Sequence, residues 1–174
     1  FAYGNMAMML VFIAINVNGL LIPFYLQDIY GLSAFKTGTL ILFYSVPLIV
    51  VAPISGWLSG KIGSRKLTVC SMIVVICGLL WYMGLGAEFK EYQIILGQMI
   101  LGIGNGMFNS PNNNSIMSAI ERKYYNDASG LNSLARNTGI VVGVALTVNI
   151  FDGLLNLFQN GGADHISAFI SAYH

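Results

Sequence analysis

The sequence predicts an all-α protein, a polytopic transmembrane helix bundle of about five spans, and three observations carry that prediction. Residues 3–27, 37–58, 67–86 and 92–116 contain no Asp, Glu, Lys or Arg. A helix rises 1.5 Å per residue, so roughly 20 apolar residues cross a hydrocarbon layer about 30 Å thick, and each stretch is long enough. Hydrophobic residues make up 56% of the chain and charged residues only 9%, with a mean hydropathy of +0.71. A soluble domain averages about 25% charged residues, so this deficit decides class by itself. Finally, glycines number 20 and sit within apolar runs, where a missing side chain lets neighbouring helices approach.

In chain order the spans fall at about 3–27, 37–58, 67–86, 92–116 and 130–151, and together they form one bundle over residues 1–158. The connections are too short to hold a soluble domain. Residues 159–174 form a tail: the polar Gln159-Asn160-Gly161-Gly162 turn leads into a stretch from Ile166 to Tyr173, too short to span and read as the start of a truncated sixth helix. The chain also opens at Phe1 inside a hydrophobic run, without a Met or a basic leader, which leads to the expectation that it belongs to something larger.

Basic residues set the expected orientation, because loops rich in Lys and Arg stay in the cytoplasm. Lys61, Arg65 and Lys66 lie in the second connection, and Arg122 and Lys123 in the fourth with Arg136 just beyond; the first and third carry only Lys36 and Lys90. The connections around 59–66 and 117–129 are therefore expected on the cytoplasmic side of a cell membrane. Trp57, Trp81, Tyr92, Tyr124 and Tyr125 fall near the expected interfaces, where amphipathic rings are favoured.

Span four is the most polar. Gln98, Asn105, Asn109 and Asn112 follow at intervals of 7, 4 and 3, which stacks them on one helical face, and Asn113 and Asn114 come next. An amide turned to lipid strands its donors and its acceptor, so this face must meet other helices or a hydrated cavity. Span one carries Asn5, Met9, Phe12, Asn16, Leu20, Pro23 and Gln27 on one face, with Asn18 and Tyr25 to one side and Tyr44 of span two a candidate for the same surface. Rings, Met and a few amides suit a partly apolar organic ligand, and an ordinary helix contact is the competing reading. Phe12, Asn16, Asn105 and Asn109 are the candidate substrate contacts.

Two G-x-x-x-G pairs, Gly102 with Gly106 and Gly139 with Gly143, predict close helix crossings. Pro23, Pro47, Pro53 and Pro111 each remove a backbone donor inside a span, and read as packing kinks or hinges. No carboxylate lies at the centre of a span, and Arg136 either snorkels to the interface or pairs elsewhere. No catalytic constellation stands out: both histidines are in the tail and no G-x-S-x-G occurs. Cys70 and Cys77 are expected to remain thiols inside span three. The net charge of +1 gives no hint of a nucleic-acid partner. Neither enzymatic activity, a metal nor a cofactor is expected.

The second connection reads Gly56-Trp57-Leu58-Ser59-Gly60-Lys61-Ile62-Gly63-Ser64-Arg65-Lys66. It resembles the signature loop of the major facilitator superfamily, G-x-x-x-D-R/K-x-G-R/K-x-R/K. It departs at Gly60, where that family places Asp, and at Ser64, where it places a basic residue. The segments Pro23 to Gln27, Gly31-Leu32-Ser33, Gly102 to Asn113, and Ala128 to Asn132 with Arg136, Gly139 and Gly143 look like the C-terminal half of the fourteen-span drug:proton antiporters. The likeness covers roughly residues 5–151. It implies a partial transporter fold, alternating access between two bundles, and a missing N-terminal helical bundle as partner beside the lipid bilayer. It further implies a small organic substrate, efflux of drugs or toxic amphipathic molecules, and a proton gradient as energy source. Gly56, Lys61, Gly63 and Arg65 would then shape a cytoplasmic gate loop, with Arg136 near it, and span three would lie outside the cavity. A metabolite or sugar transporter of the same superfamily shares these features. The alternative from a different class is a small non-transporting accessory membrane subunit that packs against a partner through its glycine faces.

Overall fold

A computed structural model describes residues 2–84 and 90–160; the tail beyond Asn160 and the end of the third expected span at 85–86 lie outside the described residues. Every regular element among the described residues is a helix. The order is α1 (Ala2–Phe24) with a π-helical turn at Tyr25–Ile29, α2 (Ala34–Ile62), α3 (Ser64–Met83), α4 (Glu91–Ser118), a short 3-10 turn (Arg122–Tyr124) and α5 (Tyr125–Asn160). The helices correspond one to one with the expected spans and overrun several of them. The largest overrun is in α5, whose 36 residues reach about 54 Å along its axis.

Pro23 explains the ending of α1. A proline lacks the N–H that its turn needs, and the chain widens into the π turn directly after it. The widened turn shifts the residues that follow out of the face set by the helical period, so Gln27 is exposed rather than stacked beneath Asn16 and Pro23. Tyr25 is buried instead, its ring edge-on to Tyr30 with centroids 5.2 Å apart and hydroxyls 3.0 Å apart. Ser33 then caps α2, accepting from the Lys36 amide at 3.4 Å.

Helix α4 occupies the centre, packed along α2 on one side and α3 on another, while α5 lies along α1. Both expected glycine crossings are made. A Cβ on Gly102 would strike the Tyr44 carbonyl oxygen, and one on Gly106 would stand 3.1 Å from the Leu48 carbonyl oxygen. On the other side, a Cβ on Gly139 would lie 2.6 Å from the Met9 carbonyl oxygen, and one on Gly143 would lie 2.9 Å from that of Ile13. Backbone therefore meets backbone at α2–α4 and at α1–α5, contacts that only glycine permits.

Polarity runs opposite to that of a water-soluble bundle. Asn18, Thr37, Ser55, Ser59, Ser71, Gln98, Asn105, Asn112 and Thr147 are buried, whereas Val46, Ile49, Ile54, Ile73, Ile76, Leu80, Leu134, Val141 and Ile150 are exposed. Such an apolar exterior belongs in lipid. By length and composition four helices could cross a membrane: Ala2–Asp28, Ala34–Ile62, Ser64–Tyr82 and Arg122–Ile150. The polar α4 is not among those four, and the reason is physical: its amides face neighbouring helices, so its interior position allows a hydropathy that a lipid-facing helix could not carry. Cys70 and Cys77 are free thiols on the exposed side of α3.

Candidate functional site

A cavity of about 320 Å³ lies among α1, α2, α4 and α5, within the range that holds small organic ligands. Its wall takes Phe12, Ile15, Asn16, Asn18, Gly19 and Pro23 from α1, Ile41 and Tyr44 from α2, Gln98 from α4 and Ile140 from α5. Residues 12, 15, 16, 19 and 23 recur at the helical spacing of three and four; of the stripe expected on span one, Phe12, Asn16 and Pro23 stand on this wall, with Ile15 and Gly19 beside them, while Asn5, Met9, Leu20 and Gln27 do not. Helix α3 contributes nothing to it.

Of the four candidate substrate contacts, Phe12 and Asn16 stand on this wall. Asn105 and Asn109 stand behind it. Asn105 is 5% exposed and donates from Nδ2 to the Tyr44 hydroxyl at 2.5 Å, while Asn109 Nδ2 donates to Asn105 Oδ1 at 2.7 Å and to its backbone carbonyl at 3.1 Å. The two amides thus reach the cavity through Tyr44. Sequence reasoning left Tyr44 and Asn18 at the margin; the signal for Tyr44 was its step of three from Ile41, which puts both on one face of α2.

Asn16 and Asn18 differ in how they are satisfied. Asn16 Nδ2 donates to the Phe12 carbonyl at 2.8 Å, one turn back, and thereby keeps its own oxygen for another partner. Asn18 is 8% exposed, and its Oδ1 is buried with no hydrogen bond. A buried acceptor left unmade costs about 1–3 kcal/mol. Gln98, 2% exposed, completes the polar portion of the wall from the opposite helix.

Toward the Gly63 end of the bundle the last residue of the α4 stripe and the two asparagines that follow it make three separate ties. Asn112 Nδ2 donates to the Gly4 carbonyl at 3.2 Å, Asn113 Oδ1 accepts from Asn132 Nδ2, and Asn114 Nδ2 donates to Ser59 Oγ at 3.0 Å. Ser55 adds a bond to the Gly106 carbonyl at 2.9 Å. The candidate gate residues lie nearby. Gly56 faces Ser110, which a Cβ would touch at 3.4 Å. Lys61 is exposed with its ammonium 3.8 Å from the centroid of the Trp57 ring, a cation–π contact. Gly63 turns the α2–α3 corner at φ +92°, and Arg65 is exposed just past it. Arg136 is exposed on α5, a separate element from that corner.

The family model described as the Major Facilitator Superfamily matches residues 5–154. The chain is 32% identical over 151 residues to the uncharacterized transporter YebQ of Escherichia coli (strain K12), covering 87% of this chain and 32% of that protein. It is 27% identical over 172 residues to the riboflavin transporter RibZ of Clostridioides difficile (strain 630), covering 99% of this chain and 38% of that protein. It is 29% identical over 147 residues to the multidrug resistance protein Stp of Mycobacterium tuberculosis (strain ATCC 25618 / H37Rv), covering 84% of this chain and 27% of that protein. The chain thus spans about a third of the length of these curated relatives. With an apolar exterior, buried amides and a match over most of its length, this chain belongs to the Major Facilitator Superfamily, in the form of a partial helical bundle.

Proposed function

We propose that this chain forms part of a transporter that moves a small organic molecule across a cell membrane by alternating access, in the direction of efflux and at the expense of a proton gradient. The single observation that carries the reading is the amide- and ring-lined cavity in the interior of a bundle whose exterior is apolar. A cavity at the meeting of four helices is where a transporter of this kind binds its cargo, and rocking of one bundle against another exposes it to each side in turn. The remaining length of the relatives supports a second helical bundle facing this one. In this reading the corner at Lys61, Gly63 and Arg65, with Gly56 and Arg136, works at the cytoplasmic gate, since the basic residues gather there. The multidrug resistance name of one relative favours efflux of drugs. The riboflavin name of another favours a metabolite as cargo.

The test is substrate movement in energised vesicles carrying the protein expressed from its complete reading frame. Efflux of a fluorescent organic cargo that collapses on adding a proton uncoupler is the expected result. Asn109→Ala, which removes the amide that orders Asn105, is expected to change transport without abolishing membrane insertion. Transport unaltered by that variant would remove the α4 stripe from the function.

A further inference from the structure

The direction of each hydrogen bond around the cavity restricts what the cavity can accept. Asn109 donates to Asn105, and Asn105 donates to the Tyr44 oxygen, so the Tyr44 hydroxyl receives a bond and its own proton has no acceptor among the described residues. That proton is left to point into the cavity. Asn16 has committed one of its two N–H groups to the Phe12 carbonyl, which leaves its Oδ1 as an acceptor. Asn18 presents an amide on the same wall with an unpartnered Oδ1, and the soft terminal torsion of an Asn side chain lets that amide turn toward a ligand. The Tyr44 proton therefore stands as a donor beside two acceptors, the oxygens of Asn16 and Asn18. The remaining amide N–H groups of Asn16 and Asn18 and the amide of Gln98 add both donors and an acceptor to the same wall. None of the described residues that line it carries a carboxylate, an ammonium or a guanidinium.

From this we infer that the wall recognises an uncharged, flat solute with a carbonyl beside an N–H, the edge of an imide or lactam. The carbonyl takes the Tyr44 proton, the N–H satisfies Asn18 or Asn16, and the ring lies against Phe12. An organic cation is disfavoured here, because it would be desolvated without a counter-charge and could not satisfy the Tyr44 donor. The inference names the cargo class of the site proposed above, and so rests on that reading for its biological meaning. Recognition itself is a separate property with a separate measurement.

Equilibrium binding to the purified protein, expressed from its complete reading frame, tests recognition with three flat probes. These are 1,8-naphthalimide, its N-methyl derivative, which lacks the N–H, and the cation N-methylacridinium. Naphthalimide is expected to bind most tightly, with each of the others about tenfold weaker, the loss expected for one hydrogen bond or one unpaired charge. Tyr44→Phe is expected to weaken naphthalimide about tenfold while leaving N-methylacridinium unchanged. Asn18→Asp keeps the shape, adds a carboxylate and is expected to invert the preference toward the cation.

Naphthalimide bound no better than N-methylacridinium, or naphthalimide affinity unmoved by both variants, would overturn the inference. A flux measurement in proteoliposomes then separates it from transport. Naphthalimide that binds as described but is never carried across leaves the recognition standing and removes the transporter reading. A cation carried across by a protein that does not bind naphthalimide does the reverse.

Discussion

Replacing Gly102 by alanine should destabilise the bundle through a single methyl group, and the size of the effect follows from what that methyl meets. It would press on the Tyr44 carbonyl oxygen, with the carbonyl carbon at 3.1 Å and the Tyr44 Cα at 3.3 Å, all of them backbone atoms of α2. No rotamer change can relieve such a contact, so α2 and α4 must separate. Overpacking of this kind costs about 1–3 kcal/mol. Alanine is also a better helix former than glycine by about 0.5–1 kcal/mol, which masks part of the loss. Gly130 supplies the correction: it is an exposed glycine of α5 with nothing within 4 Å of an added Cβ, so Gly130→Ala carries the propensity gain alone. The difference between the two variants isolates the crossing. At about 2–4 °C per kcal/mol for a chain of this size, Gly102→Ala should melt roughly 2–12 °C below Gly130→Ala in detergent, read by near-ultraviolet circular dichroism. Gly106→Ala should fall between them, since its nearest contact is 3.1 Å. Equal melting temperatures for Gly102→Ala and Gly130→Ala would refute the argument that backbone contact at this glycine holds α2 to α4.

Two further perturbations probe the ends of the helices. Gly63→Ala places a Cβ on a residue with φ +92°, a conformation L side chains rarely adopt, and should lower stability by about 1–2 kcal/mol by thermal unfolding, although nothing lies within 4 Å of the new methyl. Glu91→Gln breaks the ion pair with Lys36, in which both side chains are 47% exposed, and should shift stability by less than about 1 kcal/mol, with even that difference vanishing in molar salt.

Much of the architecture could be read from the sequence because lipid imposes a strong rule: what faces it must be apolar, and what is polar must face inward. That rule marks four helices by hydropathy, and the amides of Gln98, Asn105, Asn109 and Asn112 mark α4 as the interior one by the same logic applied in reverse. The glycine pairs were legible too, since a four-residue spacing of small residues has one dominant use. What could not be read was partnership. Asn112 finds the carbonyl of Gly4, 108 positions away, and nothing in the local pattern of either residue names the other. Tyr44 and Asn18 were under-read for a related reason: their importance lies in which hydrogen bonds they lack, and that depends on neighbours contributed by other helices. The π turn after Pro23 misplaced Gln27, because helical periodicity assumes a constant pitch that the proline interrupts.

Three successive asparagines explain why α4 sits where it does. Adjacent residues on a helix project about 100° apart, so Asn112, Asn113 and Asn114 fan across roughly 200° of its circumference. Only a helix with neighbours on most sides can satisfy all three, and here they reach α1 at Gly4, α5 at Asn132 and α2 at Ser59. Polar bonds between membrane helices average about 0.6 kcal/mol each, and water can replace any of them where it gains access. The glycine crossings at Gly102 and Gly139 are different in kind, because backbone pressed on backbone has no solvent substitute and no intermediate setting. Their positions along α4 and α5 place rigid contacts at the level of the cavity and exchangeable ones nearer the Gly63 corner. In this bundle, backbone pressed on backbone holds the level of the cavity, while the Gly63 end is joined by side-chain amide bonds from α4 to three different helices.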